Sequence, residues 1–240
     1  QWMLRRILWG GFYDSDQLAF DPQAGGLKLV ELAPGISHLT GASHNSLIVE
    51  MKDHLIVFDA PISNIESKVA MDAAKAKYPG KPVRYMVQTH HHIDHISGAR
   101  AYVAAGAKVV AGAGNVEYLR HMFNAPHKVR KDALALRPRK ADIIAVADKY
   151  VLTDGTRKVE VYRIDNTHAE GMLIGYIPDA KLGWVVDIWS PGRDPIVPTT
   201  GQREVYQAVT KLGITPERFA GGHGSVGAYS ELAAKAGAAK

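Results

Sequence analysis

The 240-residue sequence contains no cysteine and no long apolar run. The absence of cysteine excludes disulfide bonds, cysteine-ligated zinc sites and thiol nucleophiles. Charged residues or glycines interrupt every apolar stretch well before the roughly 18 to 20 residues that a membrane-spanning helix needs, so we expect no membrane span. With 46% hydrophobic and 22% charged residues, the composition is typical of a soluble globular chain. The compartment, cytoplasmic or periplasmic, stays open.

The first ten residues lack the apolar core and the small-residue cleavage site of a signal peptide. They contain Trp2, Met3, two arginines and a short apolar stretch over residues 7–9. The chain does not begin with Met, which is consistent with the removal of a leader or an upstream segment.

Positive charge is concentrated in one segment, residues 127–140. Its basic side chains are Lys128, Arg130, Lys131, Arg137, Arg139 and Lys140, and its one acidic side chain is Asp132. Six basic residues minus one acidic residue equal the whole net charge of +5. We favour a solvated loop over a patch for an acidic substrate or nucleic acid, because no RNA-binding aromatic signature or zinc-finger spacing accompanies it.

Hydrophobic patterning predicts two blocks in which strands precede helices. Short apolar runs within residues 27–60 predict an antiparallel meander, and a capping-box pattern at Ser63 and Glu66 starts a helix that stops at Gly80. The second block has a hairpin around residues 154–155. Further strands are predicted over residues 82–89, 107–111 and 142–146, and further helices over residues 97–105, 115–123, 202–212 and 229–236. This order predicts an α/β fold with two face-to-face sheets and helices outside.

A histidine cluster, Thr-His-His-His-Ile-Asp-His over residues 89–95, directly follows a predicted strand. In an extended segment alternate side chains share a face, so His90, His92 and Asp94 are expected to project together. His95 lies where the chain turns into a helix and can approach from another direction. Imidazole and carboxylate groups are ligands for Zn²⁺, iron or manganese, so the cluster predicts a metal site with room for two ions. The alternative, a tag remnant or accidental His-rich loop, fits an internal cluster after a core strand poorly.

The pattern His90-x-His92-x-Asp94-His95 resembles the HxHxDH motif of the metallo-beta-lactamase superfamily. Asp59, at the end of a predicted strand, resembles the aspartate that precedes this motif in the superfamily and buttresses the site. The resemblance covers nearly the whole chain and implies a single-domain, four-layered αββα sandwich with metals at one edge between the sheets. It implies an N-terminal extension over residues 1–26 and a catalytic domain over residues 27–240.

Three later residues stand in the order that the superfamily pattern requires: His168, Asp187 and His223. The resemblance implies that one metal ion is held by His90, His92 and His168. It implies that a second is held by Asp94, His95 and His223, and that Asp187 bridges the two. The sequence around His168, Asn-Thr-His-Ala-Glu-Gly, departs from the Gly-His-Thr-x-Gly turn that is usual there.

This ligand set implies a hydrolase with two divalent metal ions, zinc being expected and iron or manganese being the alternatives. Such a pair lowers the pKa of a shared water from about 15.7 towards about 7, and the bridging hydroxide then acts as nucleophile. We expect attack on an ester, lactone, thioester or amide of a small molecule, with Asp94 orienting the water. Asp187 stands where the best-known subclass of true β-lactamases carries cysteine, so the chain is more similar to glyoxalase II and lactonase-like members.

Three alternatives of other classes remain. One is a mononuclear iron oxygenase similar to the persulfide dioxygenases, with iron held by His90, His92 and His168. Another is a phosphodiesterase or nuclease on the same scaffold, although we do not expect nucleic acid as a partner. The third is a binding module with a structural metal site. The sequence leaves the oligomeric state open.

The other histidines lack partners at ligand spacing and are predicted to be structural or surface residues. They are His38, His44, His54, His121 and His127. Among these, His44 lies in a turn before a core strand, close to the expected mouth of the site. His91 is predicted to pack behind the ligands or to hydrogen-bond to one of them. Trp189 is a candidate apolar wall of the pocket and Arg193 a candidate contact to a substrate carboxylate, with packing or surface roles as the alternative.

Overall fold

The structure, a computed structural model, describes residues 26–129 and 131–238. The predicted N-terminal extension therefore lies outside the described residues except for Gly26, and so does Arg130 of the basic segment. Among the described residues, no helix has both the length and the apolar character needed to cross a membrane.

The first sheet has seven strands, which lie side by side in chain order. They are β1 (Lys28–Ala33), β2 (Ile36–Thr40), β3 (Ser46–Glu50), β4 (Leu55–Phe58), β5 (Val83–Gln88), β6 (Lys108–Gly112) and β7 (Ile143–Val146). β1 to β4 form the predicted antiparallel meander, whereas β4 to β7 are parallel. Parallel strands end at the same edge, so the carboxyl ends of β4, β5 and β6 lie together.

The second sheet has six strands in the order β13-β12-β11-β10-β9-β8. They are β8 (Lys149–Thr153), β9 (Lys158–Arg163), β10 (Leu173–Ile177), β11 (Leu182–Val185), β12 (Arg218–Gly221) and β13 (Val226–Ala228). β8 and β9 form the predicted hairpin, and among the described strands of this sheet only β11 and β12 are parallel. The three-residue strand β13 was not predicted; it pairs with β12 and closes the edge of the sheet.

The helices connect and cover the strands. They are α1 (Asn64–Lys77), α2 (Ile93–Ile96), α3 (Ala99–Ala105), α4 (Val116–Asn124), α5 (Ala133–Leu136), α6 (Thr200–Leu212) and α7 (Tyr229–Ala238). α1 begins as predicted, because the Ser63 hydroxyl accepts a hydrogen bond from the Glu66 N–H at 3.1 Å. Gly106 ends α3 in the left-handed conformation, with φ of 99°.

The basic segment is not wholly the loop that its charge predicted, because it contains α5. Asp132 begins this helix by accepting a hydrogen bond from the Ala135 N–H at 2.8 Å. The same carboxylate pairs with the buried guanidinium of Arg100 in α3. A short helix is therefore attached to the body of the protein by an ion pair.

Two apolar clusters define the layers. One lies between the sheets and includes Phe58, Trp184 and Phe219, and it extends to Val205 of α6. The other lies on the opposite face of the first sheet, where Met86 packs with residues of α1, α3 and α4. The first sheet is therefore covered on both faces, and the predicted single-domain αββα sandwich is confirmed.

Candidate metal centre

The histidine cluster begins where β5 ends at the shared edge of the first sheet. Residues 89–92 are neither helix nor strand, and α2 begins at Ile93. The expectation that His90, His92 and Asp94 project from one extended face is therefore wrong for Asp94. Asp94 and His95 lie in this helical turn, and the ligand atoms of the cluster divide into two groups.

The first group contains His90, His92, His168 and Asp187, whose ligand atoms all lie within 4.8 Å of one another. His90 Nε2 and His168 Nε2 each lie 2.9 Å from Asp187 Oδ2. The His92 ring is 4.5 Å from the His90 ring and 4.7 Å from the His168 ring, measured between centroids. The structure thus brings these three histidines together around one carboxylate oxygen.

The second group contains His44, Asp94, His95 and His223, again within 4.8 Å of one another. His95 Nε2 lies 3.1 Å from His223 Nε2, and His44 Nε2 lies 3.1 Å from Asp94 Oδ2. Sequence reasoning predicted His44 to be a structural or surface residue near the expected mouth of the site and did not count it among the ligands. A lone histidine carries no spacing signal, and its only cue was the position before a core strand.

Asp187 lies between the two groups. Its Oδ2 faces the first group, whereas its Oδ1 lies 3.1 Å from His95 Nε2 and 2.6 Å from His223 Nε2. Burial raises the pKa of this carboxyl, but the contacts with His223, His90 and His95 outweigh it and hold the pKa well below its usual range. The backbone has φ of 44°, a left-handed conformation that is costly for a residue other than glycine.

The donor atoms of both groups fit metal ions. His90 Nε2 and Asp187 Oδ2 are buried, and neither makes a hydrogen bond with any described residue although they are 2.9 Å apart. Buried polar atoms without hydrogen bonds are costly unless something else binds them. Imidazole nitrogens and carboxylate oxygens without a thiol are suited to zinc, iron or manganese.

Asp59 lies beneath the second group, as the resemblance implied. It is fully buried, and its Oδ1 accepts hydrogen bonds from the Thr89 N–H at 2.9 Å and the Thr89 hydroxyl at 2.8 Å. Its Oδ2 lies 3.8 Å from His95 Nδ1. Burial raises the pKa of Asp59. This carboxylate therefore faces the ring nitrogen of His95 that points away from the site.

The loop that carries His168 is fixed despite its unusual sequence. The Asn166 side chain accepts hydrogen bonds from the N–H groups of His168 and Ala169, both at 2.8 Å. The Thr167 N–H donates to Glu204 Oε1 of α6 at 2.9 Å. An asparagine turn therefore replaces the usual glycine-rich turn.

The structure gives the positions of the two residues considered for the pocket, for which packing or surface roles were the alternative. Trp189 is 2% exposed, packs on Phe219 and donates from Nε1 to Asp194 at 2.7 Å, so it belongs to the core and is not a pocket wall. Arg193 is exposed. His91 packs against the Tyr118 ring at 5.7 Å, as one of the two predicted roles requires.

Of the remaining histidines, His38 is buried, and its Nε2 lies 3.0 Å from the Gly221 carbonyl oxygen, which agrees with a structural role. His54 is buried beside Asp53, His121 is exposed, and His127 lies 3.4 Å from Asp132. None of these four belongs to either group of ligand atoms in the described part of the chain.

The chain is similar to known proteins in sequence and in fold. A segment is 35% identical over 97 residues to a linear primary-alkylsulfatase from Pseudomonas sp., covering 38% of this chain and 14% of that protein. The fold is similar to that of the DIM-1 metallo-beta-lactamase, with 17% identity, a TM-score of 0.65, and coverage of 88% of this chain and 95% of that one. It is also similar to the inverting sec-alkylsulfatase Pisa1 from Pseudomonas sp., with 19% identity, a TM-score of 0.62, and coverage of 88% and 41%.

A mono-zinc crystal form of the FIM-1 metallo-beta-lactamase from Pseudomonas aeruginosa is similar as well, at 15% identity and a TM-score of 0.66, covering 88% of this chain and 93% of that one. The structural likenesses alone show the fold. The profile of the metallo-beta-lactamase superfamily, however, matches residues 39–223, which is well over half of the sequence. The chain therefore belongs to the metallo-beta-lactamase superfamily.

Proposed function

We propose that the chain is a dinuclear metal hydrolase that cleaves an ester of a small molecule. The observation that carries this proposal is the position of Asp187, whose two carboxylate oxygens face two separate groups of imidazole nitrogens. A single ion needs only one of these groups, so the mononuclear iron alternative leaves the second group without a role. A carboxylate between two groups suits a pair of ions.

In this proposal His90, His92 and His168 would hold one ion. Asp94, His95 and His223 would hold the other, and Asp187 would be shared by both. Zinc is the expected metal for this donor set, with iron or manganese as alternatives. When bound, such ions supply a water that ionises near neutral pH and polarise the substrate bond that breaks.

Asp94 is the residue that we assign to orienting the attacking water. Its side chain is 38% exposed, whereas that of Asp187 is 10% exposed, so solvent reaches Asp94 more easily. The hydrogen bond between His44 Nε2 and Asp94 Oδ2 holds the pKa of Asp94 at about 2, despite the opposing effect of burial. An ionised carboxylate at this place can accept a hydrogen bond from the water and so fix its orientation.

The substrate class is an ester with an apolar part. Ile93, between two candidate ligands in sequence, and Tyr118, which contacts His91, are both large apolar side chains that are about half exposed. The partial match to an alkylsulfatase makes a sulfate ester one member of this class to test. A β-lactam is not expected to be the best substrate, because Asp187 occupies the position of the cysteine in the best-known β-lactamases.

The test is a hydrolysis screen on protein reloaded with zinc, manganese or iron. The panel contains an acyl ester, a lactone, a thioester, an amide, a primary alkyl sulfate, a β-lactam and a phosphodiester. We expect two ions per chain and hydrolysis of an ester, both reduced by Asp187→Ala, with activity lost in His92→Ala and Asp94→Ala. His121→Gln, an exposed histidine outside both groups, is the matched control and should behave as the wild type.

Two results would contradict the proposal. One iron per chain with oxygen consumption and no hydrolysis supports the oxygenase alternative. Hydrolysis confined to the phosphodiester supports the phosphodiesterase or nuclease alternative.

A further inference from the structure

The loop between β2 and β3 brings a histidine into the second group beyond the three ligands that the superfamily pattern names. The side chain of His44 is 13% exposed. Its Nε2 lies 3.1 Å from Asp94 Oδ2, and its ring lies 4.4 Å from the His223 ring and 5.4 Å from the His95 ring, measured between centroids. His44 therefore contacts every other member of the group.

The neighbouring residue fixes this loop to the turn that carries His223. The Asn45 N–H donates to the Gly222 carbonyl oxygen at 2.8 Å. The Asn45 side chain donates to the carbonyl oxygens of Gly221 at 3.0 Å and Gly224 at 3.1 Å. Three hydrogen bonds from one buried asparagine make the separation between His44 and His223 a fixed feature of the fold.

The other ring nitrogen of His44 also has a partner. His44 Nδ1 lies 2.8 Å from the Ser43 hydroxyl oxygen. When the proton is on Nδ1 and is donated to this oxygen, the lone pair of Nε2 faces the group. Metal-binding histidines commonly use the second nitrogen in this way, because the hydrogen bond fixes both the tautomer and the ring orientation.

We propose that His44 is a fourth ligand of the second ion, in addition to Asp94, His95 and His223. Like these three residues, it would bind the second ion and not the first. This inference rests on the proposed dinuclear function and extends it. The four ligand atoms all lie within 4.8 Å of one another, close enough to bind one ion together. With the shared Asp187, the second ion would have five side-chain ligands and the first ion four.

The competing explanation is that His44 only donates a hydrogen bond to Asp94. Two substitutions separate the roles. His44→Ala removes both functions, whereas His44→Gln keeps an N–H donor near Asp94 but lacks an imidazole nitrogen. The matched control is again His121→Gln.

Each protein is stripped of metal with a chelator and reloaded with Zn²⁺ or Co²⁺. The bound ions are counted by elemental analysis, and affinity is measured by competition with a chromophoric chelator. We expect the wild type and His121→Gln to bind two ions, and both His44 variants to bind the second ion at least about 100-fold more weakly while keeping the first. The visible absorption of the Co²⁺ forms should lose the contribution of the second ion in the His44 variants alone. Far-UV circular dichroism of the metal-free proteins checks that all are folded.

Retention of two tightly bound ions by His44→Gln would overturn the inference, because a hydrogen bond to Asp94 would then suffice. Retention by His44→Ala would overturn it as well, while leaving the dinuclear hydrolase intact. A wild type that binds fewer than two ions would contradict the proposed function and this inference together.

Discussion

Trp184 Nε1 donates a hydrogen bond to Asp59 Oδ2 over 3.2 Å, which connects the second sheet to the end of β4 in the first. Both residues are fully buried, and the same carboxylate oxygen lies 3.8 Å from His95 Nδ1. We therefore expect the tryptophan to act on the site through Asp59, as a positioning residue.

Trp184→Phe should lower the free energy of unfolding and weaken metal binding in the second group. The loss of a buried hydrogen bond costs about 1–3 kcal/mol, because the carboxylate oxygen is left without its donor. Urea unfolding and zinc competition titrations measure the two effects. Trp189→Phe is the control, since it removes a similar hydrogen bond to Asp194 without touching Asp59. Equal losses of zinc affinity in both variants would argue against a positioning role.

Gly112→Ala should disturb the loop that carries His168. A Cβ at this position would lie 2.0 Å from the Gly171 carbonyl oxygen, so the backbone of one segment must move. We expect weaker binding of the first ion, measured by zinc competition. Gly114→Ala is the matched control, because its Cβ would meet only the flexible end of the Glu170 side chain at 3.1 Å. Unchanged zinc affinity in Gly112→Ala would show that this close approach does not position His168.

The Arg100–Asp132 pair should make stability depend on pH in acid. Burial raises the pKa of Asp132, but hydrogen bonds from Arg100 and the Ala135 N–H outweigh it, so the folded pKa lies below the ordinary 3.8. Since the folded pKa is below the unfolded one, the contribution is complete above about pH 4 and is lost as pH falls through the folded value.

Asp132→Asn should therefore destabilise the protein by about 3–5 kcal/mol at pH 7, because it leaves a buried guanidinium without its counter-charge. The difference from the wild type should shrink below about pH 4 in urea unfolding experiments. Asp165→Asn, at an exposed carboxylate paired with Lys211, is the control and should change stability little. A difference between wild type and Asp132→Asn that stays constant down to pH 2 would contradict the assignment.

Neutralising Lys128, Arg130 and Lys131 together should leave the hydrolysis of small esters nearly unchanged. Lys128 and Lys131 line a cleft of about 620 Å³ with Arg100, whose charge is already paired with Asp132. Steady-state kinetics on a small ester and on a nucleic acid, at two salt concentrations, measure the effect. A large loss confined to the nucleic acid would favour the nuclease alternative.

The sequence was sufficient to predict those structural features that depend on a few adjacent residues. The turn at residues 154–155, the Ser63 cap and the histidine cluster each depend on a few adjacent residues, and the alternation of strands and helices determined the layers. Strand β13 has only three residues and gains its stability from pairing with β12. Helix α5 depends on Asp132, whose pairing with Arg100 crosses 32 positions of sequence.

In the site, too, residues close together in sequence could be predicted, whereas those brought in by tertiary contacts could not. His90 and His92 lie in one group, but the period of two residues failed at Asp94, because the chain enters α2 one residue earlier. His44 meets its partners through the hydrogen bonds of Asn45 to a turn about 180 positions away. Such contacts arise from tertiary packing and have no counterpart in the spacing of nearby residues.

The candidate ligands come from both halves of the sandwich. His44, His90 and Asp94 belong to segments that follow strands of the first sheet, whereas His168 and Asp187 follow strands of the second. Because each group draws on both sheets, separating the layers disassembles both groups at once. Cations bound at this edge would crosslink the two sheets. Metal loading should therefore slow global unfolding far more than it alters the refolding rate. After chelation, this edge of the sandwich should be the first part to unfold locally.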